Sequence, residues 1–347
     1  MTSAAETTSN FIEPRRTYID MSTMTLNGNW LPARYVQSKL LCTHPSQAFA
    51  HIVSKIKQQP HAGIFLAPHG EGDLNVRVRW KQNRHGIYQS EYFRGEQGEL
   101  YRDIDVKGVG YTRGFPMRFL SVQLPEMDGD MELRGILHHE VALDDALNSE
   151  EIYEGGVRTA RHIAHAELFE FIDMNGSIVP RQHMRSEFGV DFDRIRPTLA
   201  YRAMGVSSRV QDLGIHKECN NQFYIKEILD DAISFVSHEL GQNLKPRDYV
   251  VWFVETMGKQ MGLLHNNYIA TDFGGQIHRG LHNVTLDCRF VDTCHYQTPR
   301  IYVRALEQVC TRLTRFLEEE DYEQFERSLP MYAQMYSAPR LSVEERR

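Results

Sequence analysis

Apolar positions fall into short alternating runs in the first part of this chain and into longer helical stripes in the second. Leu74 to Trp80 alternates strictly, with Leu74, Val76, Val78 and Trp80 on one face, which predicts a half-buried strand. Residues 62–68, AGIFLAP, make an apolar run of strand length. Leu100 to Val106, Glu167 to Ile172 and Thr198 to Met204 also read as strands, and Asn175-Gly176 is a hairpin turn signal. Pro45 to Pro60 predicts a short amphipathic helix, with Ser46 placed to cap it. Further helices are predicted over Leu133 to Glu151, Asn221 to Leu240, Val250 to Met261 and Arg300 to Phe316, the last with an acidic extension from Glu318 to Asp321. Residues 21–57 are otherwise mixed, and residues 81–100 are polar and turn-rich. There is no internal repeat and no low-complexity segment. The pattern is α+β: a strand-rich half with one helical insertion, then a mostly helical half. A site at the junction is the default for such a two-lobed chain.

Composition narrows the class. The chain has 347 residues, 41% of them apolar, enough to bury a sizeable core. Its formal net charge is −7 and no basic run stands out, so nucleic acid is not the leading partner. The five cysteines are irregularly spaced without C-x-x-C, which indicates neither a zinc site nor a disulfide framework and fits reduced thiols in a cytoplasm. No apolar run approaches the roughly 18 residues of a membrane helix, so no membrane partner is expected. Residues 1–14 read as a loose polar tail without the apolar region of a signal peptide, and the residues after Pro339 as a frayed one.

The candidate chemistry gathers in His278 to Asp292, HRGLHNVTLDCRFVD. Asn283 and Asp292 stand nine positions apart around a strand-like apolar run. On the two ends of a short β-ribbon, such oxygen donors can share one Mg²⁺, a hard cation whose shell substrate phosphates complete. Upstream, Pro68 to Asp73 carries Gly70 and Gly72 between two predicted strands, a turn that either lies over a nucleotide or closes an ordinary hairpin. Lys107 ends a strand after Asp103 and Asp105, which lie on the phase opposite to the apolar residues. An inward-pointing lysine is therefore open beside the ordinary exposed one.

Four segments, in order, resemble the selenoprotein O family, a branch of the protein-kinase-like fold. SEEIYEGGVRTAR (149–161) resembles that family's SEAM-x-x-LGIPTTR, aligning at Ser149, Glu150, Gly156, Thr159 and Arg161. DIDVKGVGYT (103–112) is similar to LQLKGAG-x-T, YRAMGVSSRV (201–210) to TRVAPSHIR, and HNVTLDCRFVD (282–292) to DNMSILGLTID. The resemblance covers residues 100–295 in patches. It implies a bilobal kinase-like fold, with a tail over 1–14, an N-terminal extension and strand-rich lobe over 15–240, and a shortened helical lobe over 241–347. It implies that Lys107, followed by Gly108 in its turn, touches nucleotide phosphates and that Glu150 is its helix partner. Arg202 and Arg209 would grip phosphate oxygens, which a planar guanidinium does two at a time, and Asn283 and Asp292 would ligate Mg²⁺. In this family ATP is bound flipped, so that AMP is transferred and pyrophosphate released.

The sequence departs from the family in three places. The Asp before the metal Asn, the expected base, is His282 here, and an imidazole can serve as a base. An extra segment, Asn266 to Leu281, intervenes after GLLH (262–265). Its TDFGG does not make Asp272 the metal Asp, because Asn267 precedes it by only five residues. Asp272 and His278 are further candidates to reach the acceptor or to act as base. Only 55 residues follow Asp292, which favours a small-molecule or short peptide acceptor over a larger surface. The expected activity is thus an ATP- and Mg²⁺-dependent adenylyltransferase acting on a small-molecule or peptide/protein acceptor. The alternatives are a kinase moving the γ-phosphate and a nucleotide-binding pseudo-enzyme. Each residue also has a plain structural reading: Glu150 as helix-end charge, Lys107 as exposed, the arginines as a surface pair, Asn283 and Asp292 as turn residues.

Overall fold

The computed structural model describes residues 30–58, 62–67, 71–78, 85–110, 135–173, 176–183, 192–210, 212, 222–268 and 283–293. The predicted helix over 300–316, both tails, and Asp272, His278 and His282 lie outside them. Among the described residues the protein is a mixed α+β structure built on one antiparallel sheet. Its strands are β1 (Trp30–Val36), β2 (Ser38–Thr43), β3 (Gly63–Leu66), β4 (Leu74–Val78), β5 (His85–Arg94), β6 (Leu100–Lys107), β7 (Arg161–Leu168) and β10 (Thr198–Met204). They run in the spatial order β2-β7-β10-β6-β5-β4-β1-β3. A small ribbon pairs β8 (Glu170–Ile172) with β9 (Ile178–Pro180). The helices are α1 (Ala50–Gln58), α2 (His139–Glu154), the single turn α3 (Phe192–Ile195), α4 (Gln222–Leu240) and α5 (Pro246–Tyr268). None of the described helices is long and apolar enough to cross a membrane.

The two faces of the sheet do different work. Along β6, Ile104 and Val106 point into the main apolar core, which they share with Leu199, Tyr201 and Ala203 of β10, Ile163 of β7 and Ile52 and Ile56 of α1. The alternate residues Asp103, Asp105 and Lys107 are also buried, with Asp103 and Asp105 at 0% exposure and Lys107 at 1%. Since successive side chains on a strand point to opposite faces, these three share the other face. That second face is a buried polar one, covered by α2 and by the segment 283–293. α4 closes its far end, where Arg102 makes a bidentate pair with Asp231 at 2.7 and 2.8 Å.

Several expectations hold and others shift. Ser46 caps the first helical turn by accepting from the Ala48 amide at 3.2 Å, and β6, β10, α4 and the body of α5 stand where the periodicity puts them. The two strands flanking residues 68–73 do not form a hairpin. β3 and β4 pair with opposite edges of β1, and Gly72 is packed on that strand, where a Cβ would meet Pro32 and the Ala33 backbone within 3 Å. The polar stretch 81–100 contains β5, whose sequence looks turn-like because it carries buried His85 and Gly86, the latter crowded by Val76. β7 starts at Arg161, ahead of the expected strand. All eight of its residues are buried, so it lacks the alternation that marks a half-exposed strand.

Gly108 turns the chain out of β6 at φ +102°, and a Cβ there would stand 2.5 Å from the Thr198 carbonyl. Gly108→Ala is therefore expected to lower stability by about 1–3 kcal/mol, seen as a drop of several degrees in a thermal melt. Gly98→Ala, at φ +85° but with open space around it, is expected to cost less. Equal melting temperatures for both variants and the parent would contradict this.

Candidate active site

A tight hairpin brings Asn283 and Asp292 together. Its turn is closed by the Thr285 amide donating to the Arg289 carbonyl at 2.9 Å and the Cys288 amide to the Thr285 carbonyl at 2.9 Å. At its open end the Val291 amide donates to the Asn283 carbonyl at 2.8 Å. The nine-residue interval is thus the length of one hairpin. Both arms are held from outside. The Val210 amide donates to Val284 and the Leu286 amide to Ser208, while Phe290 exchanges hydrogen bonds with Arg158 and Ala160. From α5, Tyr249 donates to the Leu286 carbonyl at 2.6 Å and Gln260 to the Cys288 carbonyl at 2.8 Å. Asp292 ends the hairpin at φ +60°, a left-handed conformation that aspartate tolerates better than most residues.

That geometry aims Asp292 at the polar face of the sheet. Its Oδ1 takes the Lys107 ammonium in a very short contact and Arg202 Nη1 at 3.2 Å; its Oδ2 takes Arg209 Nη1 at 3.1 Å. The same Arg209 nitrogen donates to Asn283 Oδ1 at 3.0 Å. Arg202, fully buried on β10, also pairs with Asp105 of β6 at 2.5 Å and with Asp145 of α2 at 3.2 Å. Asp145 lies 3.5 Å from Lys107. Thr293, next to Asp292, donates its amide and hydroxyl to Asp145 Oδ1 at 2.5 and 2.9 Å. Three cations and three carboxylates thus form one network across β6, β10, α2 and the hairpin. Histidines border it: His85 Nδ1 is 3.0 Å from Asp105, and His162 Nε2 is 3.5 Å from Asp145 with its Nδ1 2.9 Å from His165.

Lys107, Arg202, Arg209, Asn283 and Asp292, all singled out in the sequence, are brought together, with Gly108 turning the chain behind the lysine. Glu150 is not among them. It binds Arg161 at 2.8 and 3.1 Å, with His44 at 3.5 Å. The acid of α2 beside Lys107 is Asp145, five residues earlier. Five residues advance about 140° round a helix, so the two carboxylates face different sides. Asp145 and His85 escaped the sequence reading, and Asp105 entered it only through its strand phase with Lys107. Asp145 had a legible signal: it shares the buried stripe of α2 with Ala142, Ser149 and Ile152, an unusual place for an acid.

The charges fix the protonation states. Burial pushes the Asp292 carboxyl upward, but Lys107, Arg209 and Arg202 outweigh it and hold it well below the ordinary value. Asp145 is likewise held down by Lys107, His162 and Arg202 against burial. Both are anions at neutral pH. Asn283 and Asp292 offer an amide and a carboxylate oxygen that meet at one point, the Arg209 Nη1. This donor set is hard and suits Mg²⁺. Holding an ion there requires Arg209 to turn onto another anion, which a phosphate supplies. Among the described residues there is no cluster of three or more His, Cys, Asp or Glu side chains arranged to hold a metal by themselves, so the fit depends on ligand oxygens completing the shell. No protein-family model matches this sequence, and no curated protein is similar to it.

Burial lowers the His85 imidazole from 6.5 to about 3, with Arg202 and Arg209 adding to the effect and Asp105 opposing it. Burial and His162 lower His165 to about 3, and burial lowers His162 against the pull of Asp145. In the unfolded chain these groups bind protons near 6.5, so acid favours unfolding. Their contribution is complete above about pH 6.5 and lost as the pH falls toward 3, each at up to about 1.4 kcal/mol per pH unit. The depressed Asp145 and Asp292 add to the loss below 3.8. Melting temperature is expected to fall steadily between pH 7 and 4, and less steeply in His85→Asn. A profile flat over that range would contradict the buried neutral histidines.

Proposed function

We propose that the protein is an ATP- and Mg²⁺-dependent nucleotidyltransferase that moves AMP to a small-molecule or peptide acceptor, on a kinase-like bilobal framework. The observation that carries this reading is the trio Lys107, Asp145 and Asp292: a strand lysine, an acid on the helix that follows it, and an acid beside an asparagine on a hairpin. Kinase-like phosphate transfer needs this arrangement, in which the helix acid positions the lysine for phosphate and the hairpin acid positions the metal. The order of elements supports it too: β6, then α2, then β7 and β10, with β10 returning to pair with β6. The resemblance to selenoprotein O supplies the choice of AMP over phosphate.

In this reading Lys107, Arg202 and Arg209 bind the polyphosphate and hold its charge, with Asp105 and Asp145 fixing their positions. Asn283 and Asp292 would hold the ion, which when bound would neutralise phosphate charge and make phosphorus more electrophilic. An acceptor oxygen attacks the α-phosphorus, the bond to the β-phosphate oxygen breaks, and pyrophosphate leaves with the electron pair. The acceptor's proton goes to a base, for which His282, Asp272 and His278 are the candidates. Most of the acceleration comes from positioning and from charges already in place.

The direct test incubates the protein with Mg²⁺, candidate acceptors and ATP labelled at the α- or the γ-phosphate. Incorporation of the α label is the expected result. Transfer of the γ label would overturn AMP transfer in favour of a kinase, and ATP binding without turnover of either label would favour a pseudo-enzyme. Asp292→Ala is expected to abolish metal-dependent turnover and Asp145→Asn to lower it by about 10²-fold or more. A circular dichroism melt of each variant separates lost chemistry from lost fold. His282→Ala with an unchanged rate would remove that residue as the base.

A further inference from the structure

Helix α2 has two unlike faces. Ala142, Asp145, Ser149, Ile152 and Tyr153 are buried against the body. The opposite stripe, spaced at helical intervals, is Glu140, Leu143, Asp144, Leu147, Glu151 and Glu154, all exposed. Leu143 is 42% and Leu147 61% exposed, one turn apart. The four acids of the stripe make no ion pair with any described residue, and α2 contains no lysine or arginine. Two adjacent leucines within an acidic frame describe a surface shaped for an apolar, basic partner.

The chain itself carries such a segment in its sequence, and the last described residue before it lies on this helix. At the end of the described hairpin, Thr293 is fastened to α2 by its bonds to Asp145 and by the Asn148 side chain donating to its carbonyl at 3.2 Å. Eight residues later begins IYVRALEQVCTRLTRF. Tyr302, Leu306, Val309, Leu313 and Phe316 repeat there at alternating spacings of four and three, the period of a helix that packs along another helix. Over residues 300–316 there are four arginines, Arg300, Arg304, Arg312 and Arg315, against one acid, Glu307. The connection is long enough: six linking residues span up to roughly 20 Å, and the 16 residues of α2 cover about 24 Å.

We infer that residues 300–316 of the same chain dock on the exposed face of α2, with the leucines of the helix against the apolar repeat and the arginines facing Glu140, Asp144, Glu151 and Glu154. Docking clamps α2 from outside. Because α2 holds Asp145 in the network with Lys107 and Arg202, the C-terminal segment sets the position of that acid. The inference rests on the α2 surface, the Thr293 anchor and the complementary charge, and stands apart from which group is transferred.

The experiment is hydrogen exchange on the full chain, read by peptide. Leu306→Asp with Leu313→Asp is expected to speed exchange across 140–151 by roughly tenfold or more, leaving β6 and β10 unchanged. Reciprocally, Leu143→Lys with Leu147→Lys, both at exposed positions and so compatible with folding, is expected to speed exchange across 300–316 by a similar factor. Sedimentation is expected to show a monomer throughout. If neither pair of substitutions affects the opposite element, the docking is overturned. It is equally overturned if the parent is a dimer that the α2 substitutions dissociate, since a second copy is then the occupant.

Discussion

The constraint on which the structure depends is the packing of three cations and three carboxylates, all buried but for the partly exposed Asp292, on one face of a sheet whose other face is an apolar core. Removing these six groups from water costs several kcal/mol per ion, returned only where each charge meets its opposite at close range. The fold meets that condition by drawing partners from four separate elements: Lys107 and Asp105 from β6, Arg202 from β10, Asp145 from α2 and Asp292 from the hairpin. Arg209 joins from the segment after β10, bridged to the hairpin at Thr285. An apolar layer of the same volume would be at least as stable. Stability alone therefore does not account for the network; the proposed polyphosphate site would, since the same cations that now satisfy carboxylates would then accept a ligand's anionic oxygens.

The supporting structure follows from holding that network in register. Asn283 and Asp292 must face inward from a segment far along the chain, so the hairpin is pinned on both arms and from α5. Asp292 adopts a left-handed backbone to turn its carboxylate onto the lysine. A second set of charges, the buried Asp287 and Arg289 with the partly buried Arg158 and Glu239, fixes the turn of the hairpin. Arg158 binds Glu239 at 2.6 Å, and Arg289 lies over the Tyr101 ring at 4.7 Å. Arg161, stacked on Tyr153 with its carbon 3.5 Å from the ring centre and paired with Glu150, anchors the start of β7 against the end of α2. These groups position elements, and the six-charge network lies between them.

Legibility in the sequence tracks environment. α1 and α4 were readable because one face of each meets the core and the other does not, and β6 and β10, though buried on both faces, because apolar residues punctuate them at strand spacing. β7 was blurred because Arg161, His162, His165 and Glu167 stand at its buried positions, and β5 because a histidine and a glycine stand where apolar residues would have marked it. Lys107, Arg202, Arg209, Asn283 and Asp292 could be named from four short segments in order. Their mutual contacts could not, since they join residues up to 185 positions apart. Glu150 was named as the lysine's partner from its motif, yet helix geometry gives that place to Asp145. The periodicity of α2 held this information, because an acid on a buried stripe requires a buried cation opposite it.

The central claim is that Asn283 and Asp292, beside Lys107, Arg202 and Arg209, form a metal–polyphosphate site. Mn²⁺ in place of Mg²⁺ makes that site visible by electron paramagnetic resonance. The account predicts that the protein, added to Mn²⁺ and ATP, converts the signal of the solution complex into that of an immobilised ion, and that Asp292→Ala abolishes the change. A signal that stays that of free Mn²⁺–ATP with the folded parent protein in excess would contradict it.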